Sequence, residues 1–458
     1  MRVLRTRHCS PRRSAATTVP YCRNGSRMTK GRRHTKVGGI TASLSDDTLA
    51  VIFDGLSDLA AVVRCAATCR RWGRIVATRA TVLSRSLPPL GRFFPQLAVG
   101  IFHQEKEWPT TRGRDITSSR PFFAAMDSGT RFLGGGQLLL GLGDGGLLEY
   151  SRPVASRNGR LVLELRREGR AMDGLRLAVC NPMMRDNIVV LPPLIISVAG
   201  KKSTTIRNYG CALLTGHDLR RPRCHSFFRL LLVYNHNRGG GKSTLLRCYS
   251  SDTGRWGPET ESDVKIHSSE LSRIGQAVVR RGVAFWALDH GVLGVRLDQI
   301  DQDAAVTDMH LITYLVPHHW PDNRLLGISS DNRLFFMYVG VSAGQNKIMI
   351  AKLSYFEFEE DDDIRTGRKG TMPEQEAVLM HQMKMPHQHT GIKLRWFGEK
   401  SGIVLFTLGE QSGHTGTFVL NLQEKVVEKV DDDGDSWKNL VGYEMDMAAY
   451  LASMAKQL

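Results

Sequence analysis

The stretch "GVAFWALDHGVLGVRLD", residues 282–298, decides the fold class of this chain. Two apolar runs, 285–288 and 292–295, flank a turn made of Asp289, His290 and Gly291. Two short strand-forming runs separated by a glycine-containing turn are typical of an antiparallel β-hairpin. The stretch therefore predicts two paired strands.

The same pattern continues along the chain, from about residue 95 almost to the end. Further hairpins are predicted by "LRLAVCNPMMRDNIVVLPP" (175–193), "LLGISSDNRLFFMYVG" (325–340), and "SGIVLFTL" (401–408) followed by "GTFVLNLQEKVVEKV" (416–430). Hairpins in series without intervening helices indicate an antiparallel, all-β body, here residues 95–435. A propeller-like closure is favoured over a single sandwich, because radial repetition leaves few exposed sheet edges.

Helical periodicity occurs before this body, in residues 41–85. Leu49, Ile52, Phe53 and Leu56 recur at i, i+3, i+4 and i+7, which places them on one apolar stripe. A second helix carries Leu59 and Val62, and a third surrounds Trp72 and Ile75. Three short helices cannot bury so much apolar surface among themselves, so the segment is expected to need a partner.

The C-terminal residues 436–458 predict one more amphipathic helix. Its apolar face would carry Met447, Tyr450, Leu451, Met454 and Leu458, docked against the β body.

The positive charge of the 458-residue chain is concentrated at its N-terminus. The formal net charge is +17, and the first 45 residues hold nine arginines, two lysines and no acidic residue. The folded part is thus nearly balanced, which argues against a nucleic-acid-binding field of its own. The composition of the basic tail, residues 1–40, is compatible with three interpretations. It is an organelle transit peptide, a segment with a nuclear-localisation patch in "KGRRHTK", or a disordered extension.

Cysteine usage and hydropathy bear on the compartment. The eight cysteines form no Cys-x-x-Cys pair, and no apolar run reaches the roughly 18 residues that a membrane-spanning helix needs. A reducing compartment is predicted, the cytoplasm or the nucleus, with no membrane partner and with an organelle as the alternative.

Two glycine-rich stretches resemble nucleotide-binding motifs. "NHNRGGGKSTLL" (235–246) ends in Gly-Lys-Ser-Thr, but His236 stands where a phosphate loop needs its first glycine, and the following residues alternate like a strand. "GLGDGG" (141–146) is followed by Pro153 and alternating residues, where a dinucleotide site needs a helix. Both are interpreted as turns between strands.

No metal site, cofactor site or catalytic group is predicted. His381, His387 and His389, or Cys224 with His225, lack the paired spacing of tetrahedral zinc sites. The acidic runs 359–363 and 431–433 lack the calcium-loop pattern, and no serine or cysteine is matched to a base and an orienting acid. The chain is therefore expected to be no enzyme.

The helical segment resembles the F-box, through which substrate receptors join SCF-type cullin-RING ubiquitin ligases. Ser45 and Ser57 stand where that family usually has proline. The matching residues are Leu44, Asp46, Asp47, Leu49, Ile52, Phe53, Leu56, Val62, Arg64, Cys65, Cys69, Arg70, Arg71, Trp72 and Ile75.

The downstream part resembles the β-hairpin domains of plant F-box proteins, especially the large grass families. "NGRLVLELRR", "LRLAVCNPM", "IVVLPP" and "CYSSDTGRW" carry this resemblance, together with residues 282–298. The resemblance implies an α+β multidomain chain, in which a small three-helix F-box precedes an all-β, degenerate propeller-like domain.

The resemblance further implies a non-catalytic substrate receptor. The F-box would bind a Skp-type adaptor and, through it, the cullin scaffold, while the β domain binds an unknown protein substrate. The implied adaptor-binding residues are Leu44, Leu49, Ile52, Phe53, Leu56, Val62, Cys65, Trp72 and Ile75. The alternatives are that these apolar residues fill the segment's own core, and that the chain is a β-domain interaction module with a silent F-box.

Overall fold

The computed structural model describes two parts of the chain in detail, a helical segment and a β body. Both parts belong to one compact unit, Asp46–Leu458, and Met1–Ser45 forms a separate unit. The described residues are 44–56, 59–86, 93–105, 122–126, 151–166, 174–182, 188–195, 197–198, 201–202, 206, 208–218, 227–238, 241–262, 264–288, 291–296, 309–313, 324–330, 332–342, 345–352, 375–378, 392–409, 415–432, 437–448 and 450–452. The predicted basic tail, residues 1–40, lies outside them.

The helical segment, residues 46–86, contains four helices where three were predicted. They are α1 (Asp46–Asp54), α2 (Leu59–Thr68), α3 (Arg70–Thr78) and α4 (Ala80–Ser86). The fourth helix follows α3 almost without interruption, and its Leu83 is fully buried. It adds an apolar side chain to the core of a unit that is otherwise very small.

In the described residues, the β body consists of five antiparallel sheets, called blades 1 to 5, a closing sheet and a two-stranded hairpin. Blade 1 contains β3 (Arg152–Arg157), β4 (Arg160–Glu164), β5 (Leu177–Cys180) and β6 (Ile188–Val190). The hairpin of β7 (Ser197–Val198) and β8 (Lys201–Lys202) follows it. Blade 2 contains β9 (Tyr209–Thr215), β10 (Phe228–Arg238), β11 (Gly241–Ser250), β12 (Arg255–Trp256) and β13 (Thr260–Ser262). Helix α5 (Ser268–Arg273) leads to the next sheet.

The remaining blades have the same meander order. Blade 3 contains β14 (Val278–Arg280), β15 (Val283–Leu288), β16 (Gly291–Arg296) and β17 (Met309–Thr313). Blade 4 contains β18 (Arg324–Ile328), β19 (Leu334–Ser342), β20 (Gln345–Lys352) and β21 (Gln375–Val378). Blade 5 contains β22 (Ile392–Phe397), β23 (Ile403–Leu408), β24 (Gly416–Asn421) and β25 (Val426–Asp431). The closing sheet joins β1 (Ala98–Glu105), β2 (Phe122–Ala125) and β26 (Trp437–Glu444) in the order β2-β1-β26.

The first strand of each blade contacts the first strand of the next, so the sheets follow one another around a ring. Strand β26 completes the ring, since it contacts β22 of blade 5 on one side and β3 of blade 1 on the other. The body is therefore propeller-like, as the sequence predicted. The closing sheet combines strands from both ends of the β body, with Phe102 of β1 paired opposite Val441 of β26.

The apolar core lies in layers between successive blades. One layer joins Leu177 and Val179 of blade 1 to Leu230 and Tyr234 of blade 2. Equivalent layers lie between blades 2 and 3, blades 3 and 4, and blades 4 and 5. This arrangement follows from strand geometry, because successive side chains along a strand point to opposite faces of the sheet. A blade buried on both faces therefore packs against the preceding blade on one face and the following blade on the other.

The predicted hairpins are confirmed. In residues 282–298, β15 pairs with β16 from Val283↔Arg296 to Leu288↔Gly291, so Gly291 belongs to a strand and not to the turn. The other three quoted stretches form β5–β6, β18–β19 and β23–β24–β25.

Two predictions need correction. Lys242, Ser243 and Thr244 lie within β11 and pair with β10, so the Gly-Lys-Ser-Thr run is strand rather than loop. The C-terminal helix begins later than residue 436, because residues 437–444 form the closing strand β26. Helical residues follow at 447, 448 and 450–452, where Met447, Tyr450 and Leu451 are buried as predicted. The stretch 141–146 lies outside the described residues.

Candidate protein-interaction site on the helical segment

Helix α1 divides the predicted adaptor-binding residues into a buried and an exposed group. Leu49 and Phe53, four residues apart on one face, are almost completely buried. Ile52 is 47% exposed, and its neighbour Val51, which lies outside the predicted apolar stripe, is 72% exposed. Val51 and Ile52, called the α1 patch below, present two adjacent branched apolar side chains to solvent.

The residues predicted on α2 and α3 mostly form the core of the segment itself. Val62 and Ile75 are buried. Trp72 is half-buried, and its ring lies edge-on to Phe53, with 5.3 Å between the ring centroids. This geometry is a favourable aromatic contact within the segment. Trp72 therefore contributes to internal packing, and whether it also contacts an adaptor stays a prediction.

Three further predicted contact residues occupy intermediate positions. Leu44, Leu56 and Cys65 are each half-buried. Val51, and Val82 of α4, which is 41% exposed, are not among the predicted contact residues. Val51 lies off the helical stripe that predicted the core of α1, and an apolar side chain off that stripe is the available signal for an exposed contact.

Ion pairs connect α1 to the helices that follow it. The Nε of Arg71 donates to Oδ1 of Asp46 at 2.7 Å, and Arg79 pairs with Asp54 through Nε at 3.4 Å and through Nη2. Because these pairs are solvent-exposed or partly so, they orient α1 more than they stabilise the segment. Arg64, Arg70 and Arg74 extend the basic character of the surface, and all three are exposed.

The β body holds a second cluster of charged residues, buried where the inner strands end. Arg157 is the last residue of β3, Asp218 lies just after β9, and Glu399 lies just after β22. Burial works to lower the pKa of Arg157, but the two carboxylates outweigh it and hold that pKa above its usual value. Burial raises the pKa of Glu399, against the attraction of Arg157. All these groups have partners within the body, which marks the cluster as structural.

Nothing in the described residues forms a metal centre. No group of three or more histidine, cysteine or acidic side chains is placed to hold an ion there, and the histidines and the Cys224–His225 pair considered above lie outside the described residues. Cys180, Cys211 and Cys248 are buried thiols whose pKa is raised to about 12 by burial. Among the described helices, none is long and apolar enough to cross a membrane.

Comparisons with known proteins identify no family. No family model matches the chain, and no curated protein matches it. Among solved structures, TolB from Acinetobacter baumannii is similar at a TM-score of 0.41 and 8% identity, covering 81% of this chain and 72% of TolB. An alpha-L-arabinofuranosidase from Fusarium graminearum is similar at a TM-score of 0.35 and 11% identity, covering 63% of this chain and 79% of the arabinofuranosidase. A puromycin-hydrolyzing peptidase of Mycobacterium tuberculosis is similar at a TM-score of 0.31 and 14% identity, covering 62% of this chain and 38% of the peptidase. No property of these proteins is transferred to this chain.

Proposed function

We propose that this protein is a substrate-receptor subunit of an SCF-type ubiquitin ligase. Its helical segment binds a Skp-type adaptor, which the cullin scaffold holds, and its β body binds a protein substrate. The α1 patch is the observation that carries the proposal, since Val51 and Ile52 are the two most exposed large apolar side chains in the described parts of the chain. Adjacent exposed apolar side chains are typical of protein interfaces.

The exposed charges of the helical segment support a protein partner with an acidic surface. Arg64, Arg70 and Arg74 are exposed on the same segment. Complementary charges of this kind accelerate association and set orientation more than they add affinity. In this role the protein performs no bond chemistry. It raises the effective concentration of a substrate lysine near the ubiquitin-loaded enzyme.

A second candidate function is a β-domain interaction module whose helical segment binds no adaptor. The observation in its favour is that Leu49, Phe53, Val62 and Ile75 are buried within the segment, so only part of the predicted contact set is available to a partner. The two functions differ in one measurable property, which is recruitment of the adaptor.

The deciding experiment is titration of the full chain with a purified Skp-type adaptor by calorimetry. Ile52→Asp is expected to weaken binding at least ten-fold, about 1.4 kcal/mol, because it places a charge in an apolar contact. Val190→Asp is the matched control, since Val190 is 46% exposed but lies on β6 of the β body. It should leave the affinity unchanged.

Two results would count against the proposal. Folded wild-type protein that does not bind the adaptor would favour the interaction module. Equal losses in Ile52→Asp and Val190→Asp would show that the α1 patch is not the contact surface. Thermal unfolding of each variant establishes that it is folded.

A further inference from the structure

A short segment of blade 1 exposes an unusual number of apolar side chains. Of the six large apolar residues that are exposed in the described parts of the chain, three lie there, namely Val189 (36%), Val190 (46%) and Ile195 (44%). Pro192 and Pro193 between them are exposed as well. We call residues 188–195 the apolar strip.

The strip includes an edge strand with outward-facing backbone groups. Among the described strands, β6 is the last of blade 1 and pairs only with β5. The N–H of Leu191 donates to the carbonyl of Leu177 at 2.9 Å, which turns Leu191 toward β5. Backbone groups alternate in direction along an antiparallel strand, so those of Ile188 and Val190 point away from the blade.

The edge of blade 5 shows how this fold protects an outer strand. Strand β25 carries the exposed charges of Glu428 and Lys429, and its pairing with β24 contains a bulge between Thr417 and Phe418. Charges and bulges of this kind prevent the addition of another strand. Strand β6 has neither, because its three residues are Ile188, Val189 and Val190 in regular register with β5.

One cation lies beside the strip without a hydrogen-bond partner for its Nε. Arg176 is placed between Leu175, which pairs with Leu194, and Leu177, which accepts from Leu191. It therefore lies opposite Pro192 and Pro193. Its Nε is buried, and within the described residues no atom accepts a hydrogen bond from it. A guanidinium in this state favours a carboxylate ligand.

We propose that the apolar strip binds an extended acidic and apolar segment of a partner protein. That segment adds a strand to β6 through the backbone groups of Ile188 and Val190, packs apolar side chains on Val190 and Ile195, and places a carboxylate at Arg176. Backbone pairing supplies affinity in this mode of recognition, and the side chains supply specificity. The proposal does not depend on adaptor binding, since the strip belongs to the β body.

The test uses the full chain and a fluorescein-labelled ten-residue peptide that alternates valine and aspartate. A second peptide alternates valine and lysine. By fluorescence anisotropy, the wild type is expected to bind the aspartate peptide at least ten-fold more tightly than the lysine peptide. Arg176→Glu should reverse this preference, because it replaces the cation by an anion at the same position.

Val190→Lys keeps the test decisive if Arg176→Glu fails to fold. It should weaken binding of the aspartate peptide at least five-fold, whereas Ile52→Lys, at a site of similar exposure on α1, should not. Equal affinity for the two peptides in the wild type, or unchanged affinity in Val190→Lys, would overturn the proposal. A wild-type dimer in sedimentation that Val190→Lys dissociates, without peptide binding, would assign the strip to a second copy of the chain and also overturn it.

Discussion

At the scale of a single residue, the Arg157 guanidinium forms hydrogen bonds with residues from several blades. Its Nε donates to Glu399 at 2.8 Å, and its two terminal nitrogens donate to Asp218 at 2.5 and 2.7 Å. The same two nitrogens donate at 3.3 Å to the carbonyls of Leu213 and Val279. All five guanidinium N–H groups are therefore used, and the partners come from blades 2, 3 and 5.

Removing this guanidinium should be costly. Arg157→Leu leaves the carboxylates of Asp218 and Glu399 buried without their counter-charge, and we expect the free energy of unfolding to fall by about 3–5 kcal/mol in urea titration. The triple variant Arg157→Leu, Asp218→Asn, Glu399→Gln should recover part of this loss, because it removes the unpaired charges as well. A loss below about 1 kcal/mol for Arg157→Leu would show that the cluster does not join the blades.

At the scale of single elements, the tight turns determine which strands pair. Asn158 and Gly159 both have positive φ, at 47° and 73°, and form the two-residue turn between β3 and β4. Arg281 and Gly282 repeat this geometry between β14 and β15. Two consecutive positive φ values match the twist of antiparallel strands, which explains the short connections.

A pair of glycine substitutions separates backbone strain from crowding. Gly254 has φ +66° and open space around it, so Gly254→Ala should cost about 1 kcal/mol from the left-handed conformation alone. Gly159 has φ +73°, but a Cβ there would lie 2.6 Å from Cβ and 2.7 Å from N of Asp446. Gly159→Ala should therefore cost at least about 3 kcal/mol. Similar losses in urea titration of the two variants would contradict this explanation.

The helices show where periodicity is informative and where it is not. The stripe of Leu49 and Phe53 predicted the buried face of α1, and the structure confirms that both are buried. The same stripe placed Ile52 with them, yet Ile52 is 47% exposed, because the small bundle offers only a narrow face to each helix. Whether that exposed residue contacts an adaptor stays a prediction.

At the scale of the whole molecule, β26 contacts both the first and the last blade of the ring. Toward blade 1, the Tyr443 hydroxyl donates to the carbonyl of Gly159 at 2.9 Å, and Ser156 Oγ donates to the carbonyl of Gly442. Toward blade 5, the Glu444 carboxylate accepts from the N–H of Ser401 at 2.6 Å. One strand therefore links the first and last blades and closes the ring.

The closing sheet makes global stability sensitive to acid through His103 of β1. This side chain is 4% exposed, and burial lowers its pKa to about 4, although Asp431 acts in the opposite direction. Because the folded pKa lies below the unfolded value, this contribution is fully present above pH 6.5 and is lost as pH falls toward 4. Between pH 7 and 4.5 the loss should be about 2 to 3 kcal/mol.

The measurement compares the wild type with His103→Gln, which cannot titrate in this range. The free energies of unfolding of the two proteins should converge or cross as pH falls, since only the wild type loses the histidine contribution. A difference that is constant from pH 7 to 4.5 would show that His103 does not contribute to acid sensitivity.

Local patterns in the sequence are sufficient to predict most of the hairpins of this protein. Alternating apolar residues and turn residues predicted the hairpins of residues 175–193, 282–298, 325–340 and 401–430, since strand period and turn chemistry are properties of neighbours in the chain. They also indicated a propeller-like body and excluded a phosphate loop at Lys242. The hairpin predictions needed only residues within a few positions of one another, whereas the propeller-like body was inferred from the repetition of hairpins along residues 95–435.

How the elements meet depends on contacts between residues that are distant in the chain. The strand β26, predicted as part of a helix, is defined by its pairing with β1, more than 300 residues away in the chain. The joining of Arg157 to Asp218 and Glu399, and the unprotected edge of β6, likewise depend on which blades become neighbours. Such contacts are set by the closure of the ring, which no local pattern encodes.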